Sequence, residues 1–206
     1  MNLKSGIFQA DKEQNRIHYE SHDAVQHLSS SINQHLPRLL VRPIVIVCIG
    51  TDRSTGDCLG PLVGTNLKSQ LSHFHIYGTL EEPVHAVNLE ETLTLIQERY
   101  RYPFIIAVDA CLGRMKSVGY LQVGHGPIKP GAGVNKVLPD VGDIHITGVV
   151  NVSGFMEFFV LQNTRLHLVM GMANSISQAI IEAEQTYLEK RRTLKEKWLI
   201  RVDALN

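Results

Sequence analysis

Two apolar runs, each closely followed by an aspartate, constrain this chain most. The first, 44–49, reads Ile-Val-Ile-Val-Cys-Ile and leads into the glycine-rich segment 50–61, which carries Asp57. The second, 104–108, reads Phe-Ile-Ile-Ala-Val and is followed at once by Asp109. Short runs of this kind, without polar alternation, read as strands buried on both faces, the pattern of a parallel sheet. In an open α/β sheet, ligands and chemistry collect beyond the carboxyl ends of such strands. Asp57 and Asp109 are therefore expected on one rim of one sheet. Two carboxylates in one crevice can activate a water molecule or hold a metal ion.

Helical spacing alternates with these strands. Val25, Leu28, Ile32, Leu36 and Leu39 mark a helix over 23–40, and Leu59, Val63, Leu67 and Leu71 mark one after the glycine-rich turn. Asn88 to Glu91 has the form of a capping box and opens a helix that Pro103 ends. Short strands are expected at 73–77, 84–87, 143–150 and 166–172, with an edge strand at 118–123. A loop is expected at 124–133 and a short helix at 155–161. A long last helix over 174–200 carries the stripe Ile176, Ile180, Ala183, Tyr187, Leu194 and Trp198. That stripe either packs on the chain's own sheet or forms a homodimer seam. The expected fold is α/β, with a mainly parallel central sheet and helices on both faces. Residues 1–40 are expected as an N-terminal arm and helix, and 41–206 as a single α/β domain.

Composition narrows the function. The 206 residues carry 20 lysines and arginines against 20 aspartates and glutamates, so no basic excess points to nucleic acid. No apolar run reaches the roughly 20 residues of a membrane helix, and residues 1–20 lack an apolar signal core. The three cysteines form no CxxC pair, which fits a reduced, cytoplasmic setting. No nucleic acid and no membrane partner is expected.

Each candidate side chain has a structural reading beside the chemical one. Asp57 stands where a helix N-cap belongs, and Asp109 could bond the amides of a following turn. If the two carboxyls share a crevice, they cannot both ionise freely, and one becomes an acid beside a base. Glycines 50, 56, 60 and 64 match neither the dinucleotide nor the phosphate-loop spacing. Cys58 and Cys111 flank the aspartates as thiol nucleophiles or, more simply, as small buried hydrophobes. His145 sits in or beside a strand and would complete a two-carboxylate, one-imidazole metal site with Asp57 and Asp109.

The segments 49–63, 105–112 and 128–134 together resemble the YyaC-type sporulation proteins, over residues 43 to 181. That group is similar in turn to the germination protease of spore formers, which degrades small acid-soluble spore proteins. Its two essential aspartates correspond to Asp57 and Asp109, and the loop 130–134 resembles a Pro-Gly-Ser-Gly-Val segment of that protease. Hydrogenase-maturation endopeptidases share the scaffold and bind nickel through two acidic residues and a histidine; their His-x-Thr-Gly segment resembles 145–148 here. The resemblance implies a cytoplasmic endopeptidase of the forespore or mother cell, acting on a protein or peptide substrate. Asp57 and Asp109 are the expected catalytic pair. Gly50, Thr51, Thr55 and Gly56 are the expected substrate-binding loop, with its amides and those of the next helix holding the oxyanion. No cofactor is expected for the germination-protease form; nickel or zinc on Asp57, Asp109 and His145 is the alternative. A non-catalytic protein that captures a peptide tail or carboxylate on the same scaffold is the alternative function.

Overall fold

The structure is a computed structural model that describes residues 16–37, 42–130 and 138–203. The expected arm is thus described only from Arg16, and most of the loop 130–134 and the Trp198 side chain lie outside the described residues. Among the described residues six strands form one sheet: β1 (Arg16–His18), β2 (Ile44–Cys48), β3 (His75–Tyr77), β4 (Phe104–Gly113), β5 (Tyr120–His125) and β6 (Ile144–Val152). Their spatial order is β1-β5-β6-β4-β2-β3. The four strands from β6 to β3 run parallel, while β5 and β1 add antiparallel pairs at the other side.

The unbroken apolar run of β2 is explained by burial on both faces. Ile44, Ile46 and Cys48 enter the larger core, with α1 (Ala24–His35), α2 (Leu59–Leu67) and the last helix, α5 (Leu166–Asp203). Val45 and Val47 enter a smaller core under α3 (Leu89–Arg99). Each fully buried Val or Ile contributes about 1.5–3 kcal/mol, so neither face can be made polar cheaply. Mixed α/β architecture with helices on both faces is therefore what the chain adopts. The helix before β4 ends at Arg99, with Tyr100 already extended, and not at Pro103 as expected.

Several elements differ from the sequence reading. Residues 16–18, expected in the loose arm, pair with β5 as an edge strand, and Ile17 joins the larger core with Leu28 and Ile32 of α1. Among the described residues of this segment, 16–18 thus extend the sheet and α1 packs on the larger core. Strand β5 is consequently not an edge. The strand expected at 166–172 is the first two turns of α5, a helix of 38 residues. Val169, Met172, Ala173 and Ile176 are fully or almost fully buried at helical spacing, so the stripe begins earlier than Ile176. Ile176, Ile180, Ala183 and Tyr187 all pack on the chain's own core, whereas Leu194 is 54% exposed. At 84–87 only Val84 makes a strand-like contact, a parallel bridge to Ile49.

Candidate functional site

Strand β2 stops at Cys48, opposite Val108, whereas β4 continues for five more residues beside β6. Asp109 is thus not past the end of its strand, as the sequence suggested, but inside it. It is the first residue of β4 beyond the end of β2, and β6 places Thr147 opposite it. Strand alternation puts Asp109 on the face of Ala107, away from the larger core. One carboxylate oxygen, Oδ1, accepts the Ala110 amide at 2.8 Å.

The chain leaves β2 through Ile49, whose amide donates to the Val108 carbonyl at 2.7 Å. It then folds back so that Thr51 N donates to the Asp57 carbonyl at 3.2 Å. This return is tight because Gly50 adopts φ +148°, and any Cβ there would strike the Asp57 carbonyl. Gly60 likewise lets α2 lie directly on the Ile49 backbone. Two glycines therefore bring Asp57 back over the end of β2, beside the overhang that carries Asp109.

The electrostatics follow from that placement. Burial pushes Asp109 up to about 8; the Ala110 amide opposes the shift and the Asp57 charge adds to it. Burial also raises Asp57, opposed by the neighbouring Ser54 hydroxyl. Ser54 Oγ is itself buried without a partner at hydrogen-bond distance among the described residues, so its opposition is weak. The N-cap reading of Asp57 fails: α2 is capped at Cys58, with no side-chain hydrogen bond at its start. Burial, with a smaller contribution from the Asp57 charge, thus leaves Asp109 protonated at neutral pH.

The comparisons with known proteins agree with the resemblance at family level. The family model described as "Protein of unknown function (DUF1256)" matches residues 16–179. The chain belongs to this family. An uncharacterized protein of Bacillus subtilis (strain 168), YyaC, is 54% identical over 197 residues, covering 93% of this chain and 95% of the relative. Among solved structures, the [NiFe] hydrogenase maturation protease HycI from Thermococcus kodakarensis KOD1 is similar at 17% identity and a TM-score of 0.44. That match covers 70% of this chain and 93% of HycI.

The three-ligand metal site is not assembled in this member of the DUF1256 family. His145 pairs with Gly124 of β5, and its ring lies over that glycine, where a Cβ would strike Nε2. Its Nδ1 donates to the Gly126 carbonyl at 2.9 Å, which turns the imidazole towards β5 and away from β4. Among the described residues no group of three histidine, cysteine or acidic side chains is placed to share a metal ion. Asp57, Asp109 and His145 therefore do not fit a nickel or zinc ion as a set. The expected loop donors are also partly committed: Gly50 N bonds Val84 O, Thr51 N bonds Asp57 O, and Gly56 N bonds Leu161 O. These three amides are not free to hold an oxyanion. Thr55 offers its carbonyl to the Cys58 thiol at 3.1 Å.

The thiols are poor nucleophiles here. Burial, then the Asp57 charge, raises Cys58, and burial with the Asp109 charge pushes Cys111 up to about 11. One part of the site escaped the sequence reading. The short helix α4 (Glu157–Gln162) is fastened to the Asp57 loop through Gly56 and to β6 through Asn151, whose side-chain amide donates to Val160 O at 3.1 Å. Its approach and outer face expose Phe155, Met156, Phe158 and Phe159, at 98, 63, 54 and 53%. The apolar run read as a helix, but nothing in its periodicity marked that face as outward. No helix among the described residues is long and apolar enough to cross a membrane.

Proposed function

We propose that this protein is an endopeptidase in which Asp57 and Asp109 divide general base and general acid roles. What supports the reading is the pair of desolvated carboxyls where β4 runs on past the end of β2, with Asp109 holding its proton at neutral pH. Asp57, the less shifted partner, takes a proton from water as the water oxygen attacks the peptide carbonyl carbon. The C–N bond then breaks as Asp109 gives its proton to the departing nitrogen. Proton exchange with solvent resets the pair. Both roles need a pair split in pKa, and the two environments supply that split.

The exposed aromatic face of α4 beside the Asp57 loop supports a protein or peptide substrate over a small polar one. Sporulation-linked cytoplasmic action is what the sequence resemblance implies, and small acid-soluble spore proteins serve as the trial substrates. The test is incubation of purified protein with such spore proteins, read by mass spectrometry, beside Asp57→Asn and Asp109→Asn variants of checked fold. Cleavage by wild type alone is expected. Equal cleavage by the variants, or none by wild type between pH 5 and 8, would overturn the reading.

A further inference from the structure

Residues 54–58 form a single helical turn ahead of α2, closed by the Cys58 amide on the Ser54 carbonyl at 3.0 Å. Gly56, inside the turn, donates its amide to Leu161 O of α4 at 2.8 Å, which fixes the turn against that helix. Side chains three residues apart on such a turn share a face, so Ser54 and Asp57 lie side by side. Their exposure differs. Ser54 is only 4% exposed, whereas Asp57 reaches solvent in part.

Ser54 Oγ is buried without a hydrogen-bond partner among the described residues. Alanine would occupy the same place without the cost of desolvating an idle hydroxyl. What the hydroxyl has beside it is the Asp57 carboxyl, whose ionised form it favours. Asp109 has a fixed donor in the Ala110 amide. Among the described residues the Asp57 carboxyl has no donor at hydrogen-bond distance, and Ser54 is the nearest that could become one. The titratable groups that bear on this turn are Asp109 of β4, Cys58 and Asp52. None is available as that donor. Cys58 gives its thiol proton to the Thr55 carbonyl at 3.1 Å, Asp52 accepts the Thr51 hydroxyl at 3.4 Å, and the Asp109 proton is needed for the departing nitrogen.

We propose that Ser54 is the positioning residue of the general base: its hydroxyl closes on the Asp57 carboxylate, holding one oxygen and leaving the other for the attacking water. This deepens the peptidase reading and rests on it for its catalytic use. A hydrogen bond to a charged acceptor is shorter and roughly twice as strong as a neutral one, so the hydroxyl draws in as Asp57 ionises. Such bonds are commonly long in a resting site and tighten when the site works. When Asp57 takes the proton from water, the hydroxyl loosens and the carboxyl can release that proton again. Ser54 thus keeps Asp57 the base and leaves Asp109 the acid.

Carbon-13 NMR titration of the Asp57 carboxyl in the full chain tests this without requiring cleavage. Ser54→Ala should raise the pH at which Asp57 titrates. Ser54→Thr keeps a hydroxyl and should titrate like wild type; where its extra methyl prevents folding, Ser54→Ala decides alone. By urea unfolding, Ser54→Ala should match wild type at acid pH, where Asp57 holds its proton in both, and fall behind as pH rises through the Asp57 titration. A purely structural serine would cost the same at every pH. On a substrate that wild type cleaves, Ser54→Ala should lower kcat about ten-fold at unchanged KM, with the acid limb of the pH profile moved upward. An Asp57 that titrates at the same pH in wild type and Ser54→Ala overturns the proposal, whatever happens to cleavage. A shifted titration in a protein that cleaves nothing would leave Ser54 as the partner of Asp57 and remove the peptidase reading instead.

Discussion

Replacing Asp109 by asparagine should make the protein more stable at alkaline pH and remove the proposed cleavage. Asparagine keeps the shape and the oxygen that accepts the Ala110 amide, but it never ionises. The folded pKa of about 8 lies above the ordinary value of 3.8, so between these values the folded state holds a proton that the unfolded state releases. Stability from this group is complete below pH 3.8 and is lost as pH rises through about 8. Fully expressed, that gap corresponds to about 5–6 kcal/mol. Asp109 keeps part of its surface in solvent, so roughly 2–3 kcal/mol is the expected loss. Urea unfolding of both proteins at pH 4, 6 and 9 measures it. The two stabilities should differ by a constant amount up to about pH 4, after which wild type falls steadily behind Asp109→Asn. A difference that stays flat to pH 9 would refute a protonated Asp109.

Other outcomes follow from the same geometry. Cys58→Ser and Cys111→Ser should keep most of the cleavage activity, and neither thiol should react readily with iodoacetamide at pH 7; loss of activity in either would favour a thiol nucleophile. Glu184 accepts the amides of Ser72, His73 and Phe74 at the start of β3, so Glu184→Ala should cost about 2–4 kcal/mol by urea unfolding. A cost below 1 kcal/mol would mean that water replaces the carboxylate. Gly60→Ala forces α2 off the Ile49 backbone, so it should lower cleavage by wild-type standards more than ten-fold even where the fold survives. Unchanged kinetics would show that the Asp57 loop tolerates the shift.

The central sheet was legible in the sequence because burial on both faces leaves β2 and the first half of β4 without alternatives. The placement of Asp109 inside β4 was not legible, because the length of β4 beyond β2 is set by its pairing with β6 and not by its own apolar run. What the chain did not reveal were effects with long sequence separation. Nothing local distinguishes Glu184 from other helix carboxylates, since its three partners lie more than a hundred residues away. His145 looked like a metal ligand because its spacing said nothing of Gly124, the one position across the sheet that lets its ring turn towards β5. The run Leu166 to Met172 fits a buried strand or a buried helix equally well, and only packing of Val169 and Met172 against the larger core decides it. The αL turn at Met156, which starts α4 with its aromatic residues outward, has no signature in a non-glycine residue.

The most direct test of a proton held on Asp109 beside Asp57 is a carbon-13 NMR titration of the aspartate carboxyls in wild type and Asp57→Asn. Asp109 should titrate near 8 in wild type and at a lower pH once the Asp57 charge is gone, while Asp57 itself titrates below Asp109 but above an ordinary aspartate. An Asp109 that titrates in the ordinary range, or at the same pH in both proteins, would contradict the account.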